Sequence, residues 1–279
     1  MRAGAPTTAL RNGGGALLAM LFLAPIAWTA LSSLKPADEA ARPPLPPWPT
    51  THLSFATYRA LDGFGAGVWQ HLANSLTVSL MTVMLTCTVG VLSGYGFSRF
   101  RFRFRETLFA LTLATIMIPF QSILTPLFVV LSRIGMTNSL VGLAFVYATL
   151  QVPFSVFMMR NAFDAVPREI EHAARMDGCG RLGMLVLVML PLVMPSLITV
   201  GIFAFLASWN EFIAALVLLT DNEKYTLPVL MSALRNGNYG SIDWGAVQAG
   251  VTVMMLPCLL IFLALQRYYV RGLTAGSVK

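Results

Sequence analysis

The sequence has few charged residues. Asp, Glu, Lys and Arg make up 11% of its 279 residues, whereas hydrophobic residues make up 56%. Soluble domains carry about 25% charged residues, so this composition excludes an ordinary soluble fold and indicates an integral membrane protein. The net charge of +7 fits the enrichment of Lys and Arg in cytoplasmic loops of membrane proteins and does not indicate nucleic-acid binding. Three widely separated cysteines without metal-ligand spacing predict neither a disulfide nor a metal site.

The sequence also lacks the residues that several membrane activities need. Its apolar stretches contain no Asp, Glu, Lys, Arg or His, which argues against a proton-driven carrier, because such carriers use ionisable relays inside the membrane. No G-x-x-x-x-G-K-[ST] phosphate loop is present, so the chain is not expected to bind ATP by that route. No loop holds a Ser/His/Asp set or paired carboxylates, so we do not expect an enzyme. A sodium-coupled secondary carrier, working through backbone carbonyls, stays open as the alternative.

Six apolar stretches are long enough to cross a bilayer as helices. We therefore predict an all-α membrane protein with spans at 16–34, 72–97, 107–132, 139–159, 182–207 and 245–265. The first stretch could pass for a signal peptide, but no A-x-A cleavage site follows it, so an uncleaved span is preferred. The layout is a tail (1–14), a first helix (15–34), an extracytoplasmic loop (35–71), a five-helix domain (72–266) with a polar loop at 160–182, and a second tail (267–279).

Three local features add detail to this layout. Pro119 and Pro126 interrupt the third span and predict kinks, whose freed carbonyls either line a pathway or are satisfied by packing. The alternating Arg and Phe of residues 99–105 suggest a strand or a nucleic-acid patch. Between two spans, however, an interface anchor is favoured, with Phe in the headgroups and Arg toward water and anionic lipid. The polar side chains spaced four apart on the fourth span are candidates for lining a pathway: Tyr147, Gln151 and Ser155.

Charge counting predicts the orientation. With the N-terminus inside, 13 of the 19 Lys and Arg residues fall in cytoplasmic segments. The outer segments hold only Lys35, Arg42, Arg59, Arg133, Lys224 and Arg235. Because Lys and Arg concentrate on the cytoplasmic side, both termini and the 160–182 loop are predicted to be cytoplasmic.

The most informative stretch is VPREIEHAARMDGCGRLGMLVLVMLP, from Val166 to Pro191. Pro167 fits the first position of a helix of about three turns, and Gly178 fits its end, since Gly adopts the left-handed conformation without strain. Glu169 and Glu171 lie in the first turns, where the helix dipole favours acids. A face of small and apolar residues, Ile170, Ala173, Ala174 and Asp177, suits insertion into a groove on another protein. A solvated surface helix is the alternative.

The same stretch resembles the EAA motif of ABC-transporter permeases, E-A-A, three residues, G, nine residues, then I-x-L-P. The residues in register are Ala173, Ala174, Gly178, Leu190 and Pro191. His172 stands at the position of the glutamate, although Glu171 beside it can partly replace the acid, and Val188 replaces isoleucine. Further similarity to the carbohydrate-uptake branch runs from about Leu17 onward, at 169–179, 208–212, 226–228, 243–245 and 266–279.

This resemblance implies the type I importer permease (MetI-like) fold and a function. The chain would be one of two permease subunits, similar to the maltose-type second permease. Two cytoplasmic ATPases would bind ATP and Mg, and an extracytoplasmic solute-binding protein would deliver a sugar or a related polyol or glycerol phosphate. The 160–182 segment, named the EAA loop below, would dock on the ATPase through Arg168, Glu169, Glu171, His172, Ala173, Ala174, Arg175, Asp177, Gly178, Leu190 and Pro191. This chain itself would bind no cofactor.

One acidic residue lies just beyond a predicted span. Glu211, next to Asn210 and close to Trp209, follows the fifth span at its predicted outer end. A membrane enzyme would need titratable or metal-binding groups near this surface, and a lone carboxylate is insufficient for that. Asn210 and Glu211 are therefore candidate contacts for the sugar, the binding protein or the partner permease.

Overall fold

A computed structural model describes residues 5–40, 45–238, 240 and 242–274, with side chains described from residue 12 to 265 within these ranges. Every regular element in these ranges is a helix or a helical turn. Arg42 and the last five residues of the 266–279 similarity, both used above, lie outside the described residues. The all-helical prediction is confirmed for the described part of the chain.

Thirteen α-helices occur in the described ranges. They are α1 (Ala5–Ser32), α2 (Ala37–Ala40), α3 (Ala56–Asp62), α4 (Val68–Arg99), α5 (Arg105–Ala114), α6 (Phe120–Arg133), α7 (Leu140–Asp164), α8 (Arg168–Met176), α9 (Arg181–Gly183), α10 (Leu190–Trp209), α11 (Ile213–Leu218), α12 (Leu227–Arg235) and α13 (Trp244–Thr274). A π-helical stretch, Met184–Met189, joins α9 to α10. Short 3₁₀ turns lie at Thr115–Met117 and Asn222–Lys224.

Five helical segments are long and apolar enough to cross a membrane. These are Asn12–Ser32, Val68–Arg99, Leu140–Asp164, Arg181–Trp209 and Trp244–Leu265. Most extend beyond the predicted spans, so the helix ends carry polar residues such as His71, Arg99 and Arg160. The count becomes six if the bent pair formed by α5 with its 3₁₀ turn and α6 is one span.

The third predicted span is broken rather than kinked. Its two halves, Arg105–Met117 and Phe120–Arg133, meet at an angle of 103°. Ile118 and Pro119 both have extended backbone, with ψ of 120° and 126°. A residue before proline is disfavoured in the helical conformation, which explains why the break falls at Ile118. Pro126 lies inside α6 without ending it.

The described residues form two compact units, one within residues 1–69 and 230–257 and the other within residues 70–229 and 258–279. In the first unit, the Glu39 carboxylate accepts the backbone N–H groups of Thr50 (2.9 Å) and Thr51 (3.0 Å) and the Thr51 hydroxyl (2.7 Å). These donors lower the pKa of Glu39 to about 2, with the Thr50 N–H contributing most.

The second unit contains the EAA loop and is built around α7, which packs against α10. Small residues bring α4 close to α7. A Cβ atom on Gly90 would lie 2.9 Å from Ser155 Oγ, and one on Gly94 would lie 2.6 Å from Met159 Cβ and 2.8 Å from the backbone nitrogen of Arg160. Such close approach is typical of helix pairs in lipid, where small residues let backbones meet. This close contact of α4 with α7, called the α4–α7 seam below, holds the ends of both helices next to the EAA loop.

The α4–α7 seam gives a first prediction. Gly94→Ala should lower the free energy of unfolding by about 1–3 kcal/mol, because the added methyl group has backbone atoms in its way and the helices must separate. Gly96→Ala is the matched control, since a Cβ atom there would meet no neighbouring side chain or backbone within 4 Å. Denaturant unfolding of the detergent-solubilised chain measures both. Equal stability of the two variants would contradict this packing.

Candidate functional site

The helix of the EAA loop is α8, and its two ends are defined by backbone geometry. Pro167, predicted as the first helical residue, instead precedes the helix with φ −58° and ψ 140°, so α8 begins one position later, at Arg168. At the other end Gly178 has φ +82°, the left-handed conformation predicted for it. Gly178 N–H donates to Arg175 O, and Cys179 N–H donates to Ala174 O, both at 3.0 Å. These two bonds form a Schellman motif, which stops the helix sharply.

The exposed face of α8 differs from the face predicted on small residues. Glu169, His172, Ala173 and Met176, at i, i+3, i+4 and i+7, are all exposed, and Met176 is 87% exposed. This spacing places them on one side of the helix. Glu171, in contrast, is 4% exposed. The partial replacement of the missing motif acid at 172 by Glu171 is therefore not supported, since that carboxylate faces inward.

The remaining residues of the predicted small face are divided between the protein and the outside. Ala174 is half-buried and packs against the cluster that includes Met159, Phe163 and Met189. Ile170 is 36% exposed and Asp177 is exposed. Ala174 therefore packs on its own chain, whereas docking of this face on another protein stays a prediction. Arg168 is exposed at the start of the helix.

Glu171 is held by a buried ion pair with Arg99, the last residue of α4. Arg99 Nε donates to Glu171 Oε1, and the two side chains are 6% and 5% exposed. Arg99 Nη2 also donates to the carbonyl of Val166 at 2.7 Å, and Arg175 Nη2 lies 3.5 Å from Glu171 Oε2. Buried charges are tolerated only when paired and hydrogen-bonded. The predicted role of Arg99 in the interface anchor, facing water and lipid, is wrong.

A second set of polar contacts joins the ends of α4, α5 and α7. Arg160 Nη2 donates to both carboxylate oxygens of Glu106, at 2.8 and 2.9 Å, and its guanidinium lies 4.1 Å from the Phe109 ring centre. Asp164 Oδ1 accepts the Ser98 hydroxyl at 2.6 Å, while Asp164 Oδ2 is 3.6 Å from Arg160 Nε. Sequence reasoning missed this set. The only feature of the sequence that could have indicated these contacts is the opposite charge of residues at the ends of neighbouring spans.

Leu190 and Pro191, the last residues of the motif, lie at the start of α10. They follow the π-helical stretch that begins at Met184. Pro191 has no N–H to donate to the preceding turn, which is consistent with irregular helix geometry just before it. Leu190 packs against the same cluster as Ala174, so the motif's two ends meet in one core.

Tyr147 and Glu211, two of the residues proposed for a pathway, are hydrogen-bonded to each other. Tyr147 is 2% exposed, and its hydroxyl donates to Glu211 Oε2 at 2.5 Å. Glu211 also accepts the N–H groups of Ala214 (3.0 and 3.1 Å) and Ala215 (3.3 Å). Glu211 thus caps the start of α11, a role that satisfies otherwise unpaired helix N–H groups. Its proposed contact with sugar or another protein stays a prediction.

The other three candidates are not gathered with that pair. Ser155 is fully buried against Gly90, and its hydroxyl donates to the carbonyl of Val152 at 2.8 Å. Asn210 is exposed, and its side-chain amide donates to Leu206 O at 2.8 Å. Gln151 is half-buried. Lining of a pathway by these residues stays a prediction, and Ser155 already has a packing role.

Comparison with known proteins gives a consistent result. Residues 87–275 match the family described as binding-protein-dependent transport system inner membrane component. The arabinooligosaccharides transport system permease protein AraQ of Bacillus subtilis is 33% identical over 264 residues, 94% of this chain and 92% of that protein. The trehalose/maltose transport system permease protein MalG of Thermococcus litoralis is 30% identical over 266 residues, 95% of each chain.

A solved structure shares the fold. It is a chain from a bacterial ABC transporter involved in the import of the acidic polysaccharide alginate. The two chains align with a TM-score of 0.79 and 22% identity, covering 96% of this chain and 98% of the other. At this identity the likeness shows the fold alone, and it agrees with the predicted MetI-like permease architecture.

The buried ion pair generates the prediction for this site. Glu171→Gln should lower the free energy of unfolding by about 3 kcal/mol, because it leaves the Arg99 charge buried without its counter-charge. It should also increase amide exchange in residues 166–180, which the pair holds against α4. Denaturant unfolding and hydrogen–deuterium exchange measure the two effects.

Glu169→Gln is the matched control for this change. Glu169 is exposed and lies in the same helix, and no salt bridge to it occurs among the described residues. The control should unfold and exchange like the unchanged chain. An equal response of the two variants would show that the Arg99–Glu171 pair does not hold α8.

Proposed function

The chain belongs to the family of binding-protein-dependent transport system inner membrane components, and we propose that it is one of two permease subunits of an ATP-driven sugar importer. It is a multi-pass protein of the inner, cytoplasmic membrane and an ABC permease whose relatives serve sugar uptake. Its work is transport rather than catalysis. The substrate class we propose is a mono-, di- or oligosaccharide, or a related polyol or glycerol phosphate.

The observation that carries this proposal is the two-sided character of α8. One side is tied to α4 by the Arg99–Glu171 pair and to the core by Ala174. The other side, with His172, Ala173 and Met176, is exposed and has no partner within the described chain. A helix that is anchored on one side and open on the other suits docking into a groove of a second protein.

We assign the open side of α8 to an ATPase subunit. Two ATPases would bind ATP and Mg, while this chain binds neither. Arg168, exposed at the start of the helix, would contact acidic groups on the ATPase surface. Arg175 lies on the anchored side, 3.5 Å from Glu171 Oε2, and its contact with the ATPase stays a prediction. A partner permease would complete the pathway, and an extracytoplasmic solute-binding protein would deliver the sugar. Both termini and the EAA loop would be cytoplasmic, as charge counting predicts.

The proposed mechanism is a rigid lever. Closure of the ATPases on ATP would displace α8. Because α8 is fixed to the end of α4 by a buried ion pair and shares a core with α7 and α10, the displacement would pass to these spans without being absorbed by the loop. The close α4–α7 seam would move as one body, since packed interiors resist continuous deformation. Turning of the spans would then open the pathway outward.

Uptake by the intact complex tests the function. Gently purified chain should bring a second permease and an ATPase with it, and reconstituted complex with its binding protein should accumulate labelled sugar only with ATP. Gly178→Arg should abolish ATP-dependent uptake. The space around Gly178 is open, so the arginine side chain would extend into the docking interface and block it. The strained φ of +82° adds a cost of about 1–2 kcal/mol.

Gly178→Asn is the control, since Asn tolerates the left-handed conformation better than other non-glycine residues and adds little bulk. It should retain most uptake. Normal uptake by Gly178→Arg would refute the lever. Uptake by the chain alone, without ATP or an ATPase, would refute the importer and favour the sodium-coupled carrier.

A further inference from the structure

A cavity lies beside the junction of α8 and α9, on the side of the loop that faces the end of α4. Its volume is about 510 Å³. Its lining includes both aromatic or apolar side chains and guanidinium groups. The lining residues are Tyr95, Phe100, Arg175, Cys179, Gly180, Arg181 and Met184. All seven belong to the second compact unit.

The cavity carries net positive charge. Arg181 is exposed and makes no ion pair among the described residues, and Arg175 is only weakly engaged, 3.5 Å from Glu171. Glu171, the acid that Arg175 contacts, is already paired with Arg99. Two guanidinium groups at one cavity suit an anion with several oxygens, because each planar fork donates two parallel hydrogen bonds to phosphate or carboxylate.

The surroundings of the cavity are apolar and lie at the ends of two candidate membrane spans. Arg181 begins the candidate span Arg181–Trp209, and α4 ends at Arg99 beside the cavity. Leu182 and Leu187 are each 74% exposed, Val186 is 47% exposed, and Phe100 is 50% exposed. In a membrane protein, such exposed side chains next to a span start contact acyl chains, whereas the guanidinium groups reach the headgroups.

We propose that this cavity binds the phosphate of an anionic phospholipid headgroup, with the acyl chains lying along Leu182, Val186 and Leu187. The phosphodiester would accept hydrogen bonds from Arg181 and Arg175. Since Arg175 is part of α8, an occupied cavity would link the lipid surface directly to the helix that carries the docking face. The bound headgroup would hold the α8–α9 junction at the membrane surface.

The first test measures phosphatidylglycerol binding to the full chain, by native mass spectrometry in mild detergent. Arg181→Gln should weaken this binding about tenfold, the loss expected for one charge-assisted contact. Arg168→Gln is the matched control, because Arg168 is exposed on the same loop and does not line the cavity. Phosphatidylcholine should bind both variants and the unchanged chain alike.

A second readout uses the thiol of Cys179. Cys179 lines the cavity, whereas Cys87 and Cys258 do not. Phosphatidylglycerol in nanodiscs should slow maleimide labelling of Cys179 relative to phosphatidylcholine alone, with labelling of each cysteine followed by peptide mass spectrometry. Arg181→Gln should remove this protection.

Three outcomes would overturn the proposal. Equal weakening by Arg181→Gln and Arg168→Gln would mean general electrostatic attraction rather than a site. Unchanged labelling of Cys179 in anionic nanodiscs would mean that the cavity stays empty. Inorganic phosphate that displaces phosphatidylglycerol at equal concentration would identify a free-anion site in place of a lipid site.

Discussion

The buried pair between Arg99 and Glu171 is the interaction on which the arrangement of the EAA loop depends. It joins the last residue of α4 to the middle of α8. Arg99 also donates a hydrogen bond to the carbonyl of Val166, just before α8 begins. Because an unpaired buried charge is costly, this geometry allows α8 few alternatives. Because Glu171 faces inward, the residues on the opposite side of α8 face outward.

The arginines near the loop consequently have separate roles. Arg99 and Arg160 are engaged by acids and tie helix ends together, whereas Arg168, Arg175 and Arg181 are exposed. The exposed arginines are available to other partners, a protein at the open side of α8 and a lipid at the cavity beside α9. Anchoring and docking are thus carried by opposite sides of one nine-residue helix.

The sequence predicted what depends on local chemistry. The helical character of the chain and the end of α8 at Gly178 follow from hydropathy and from the conformational freedom of glycine. It did not predict contacts between distant residues. In the sequence Arg99 is one of four alternating arginines, and its partner Glu171 lies 72 positions away, so nothing local indicates that the two residues pair. Ser155 was a pathway candidate because periodicity cannot distinguish a polar group facing a cavity from one hydrogen-bonded inside the chain. The bond between Tyr147 and Glu211 joins residues 64 positions apart, and local spacing does not predict it. The 103° break at Ile118 also exceeds what a proline alone predicts.

The central claim is that α8 and α4 move as one body when the transporter works. Spin labels at Leu92 in α4 and Ile170 in α8, both exposed, would report the separation of the two helices by pulsed dipolar spectroscopy, with Cys87, Cys179 and Cys258 replaced. Measurements on the assembled complex without nucleotide and with ATP bound should give one narrow distance distribution that does not shift. A distribution that shifts or broadens on ATP binding would contradict the claim, because it would show that the loop bends where the account requires a rigid connection.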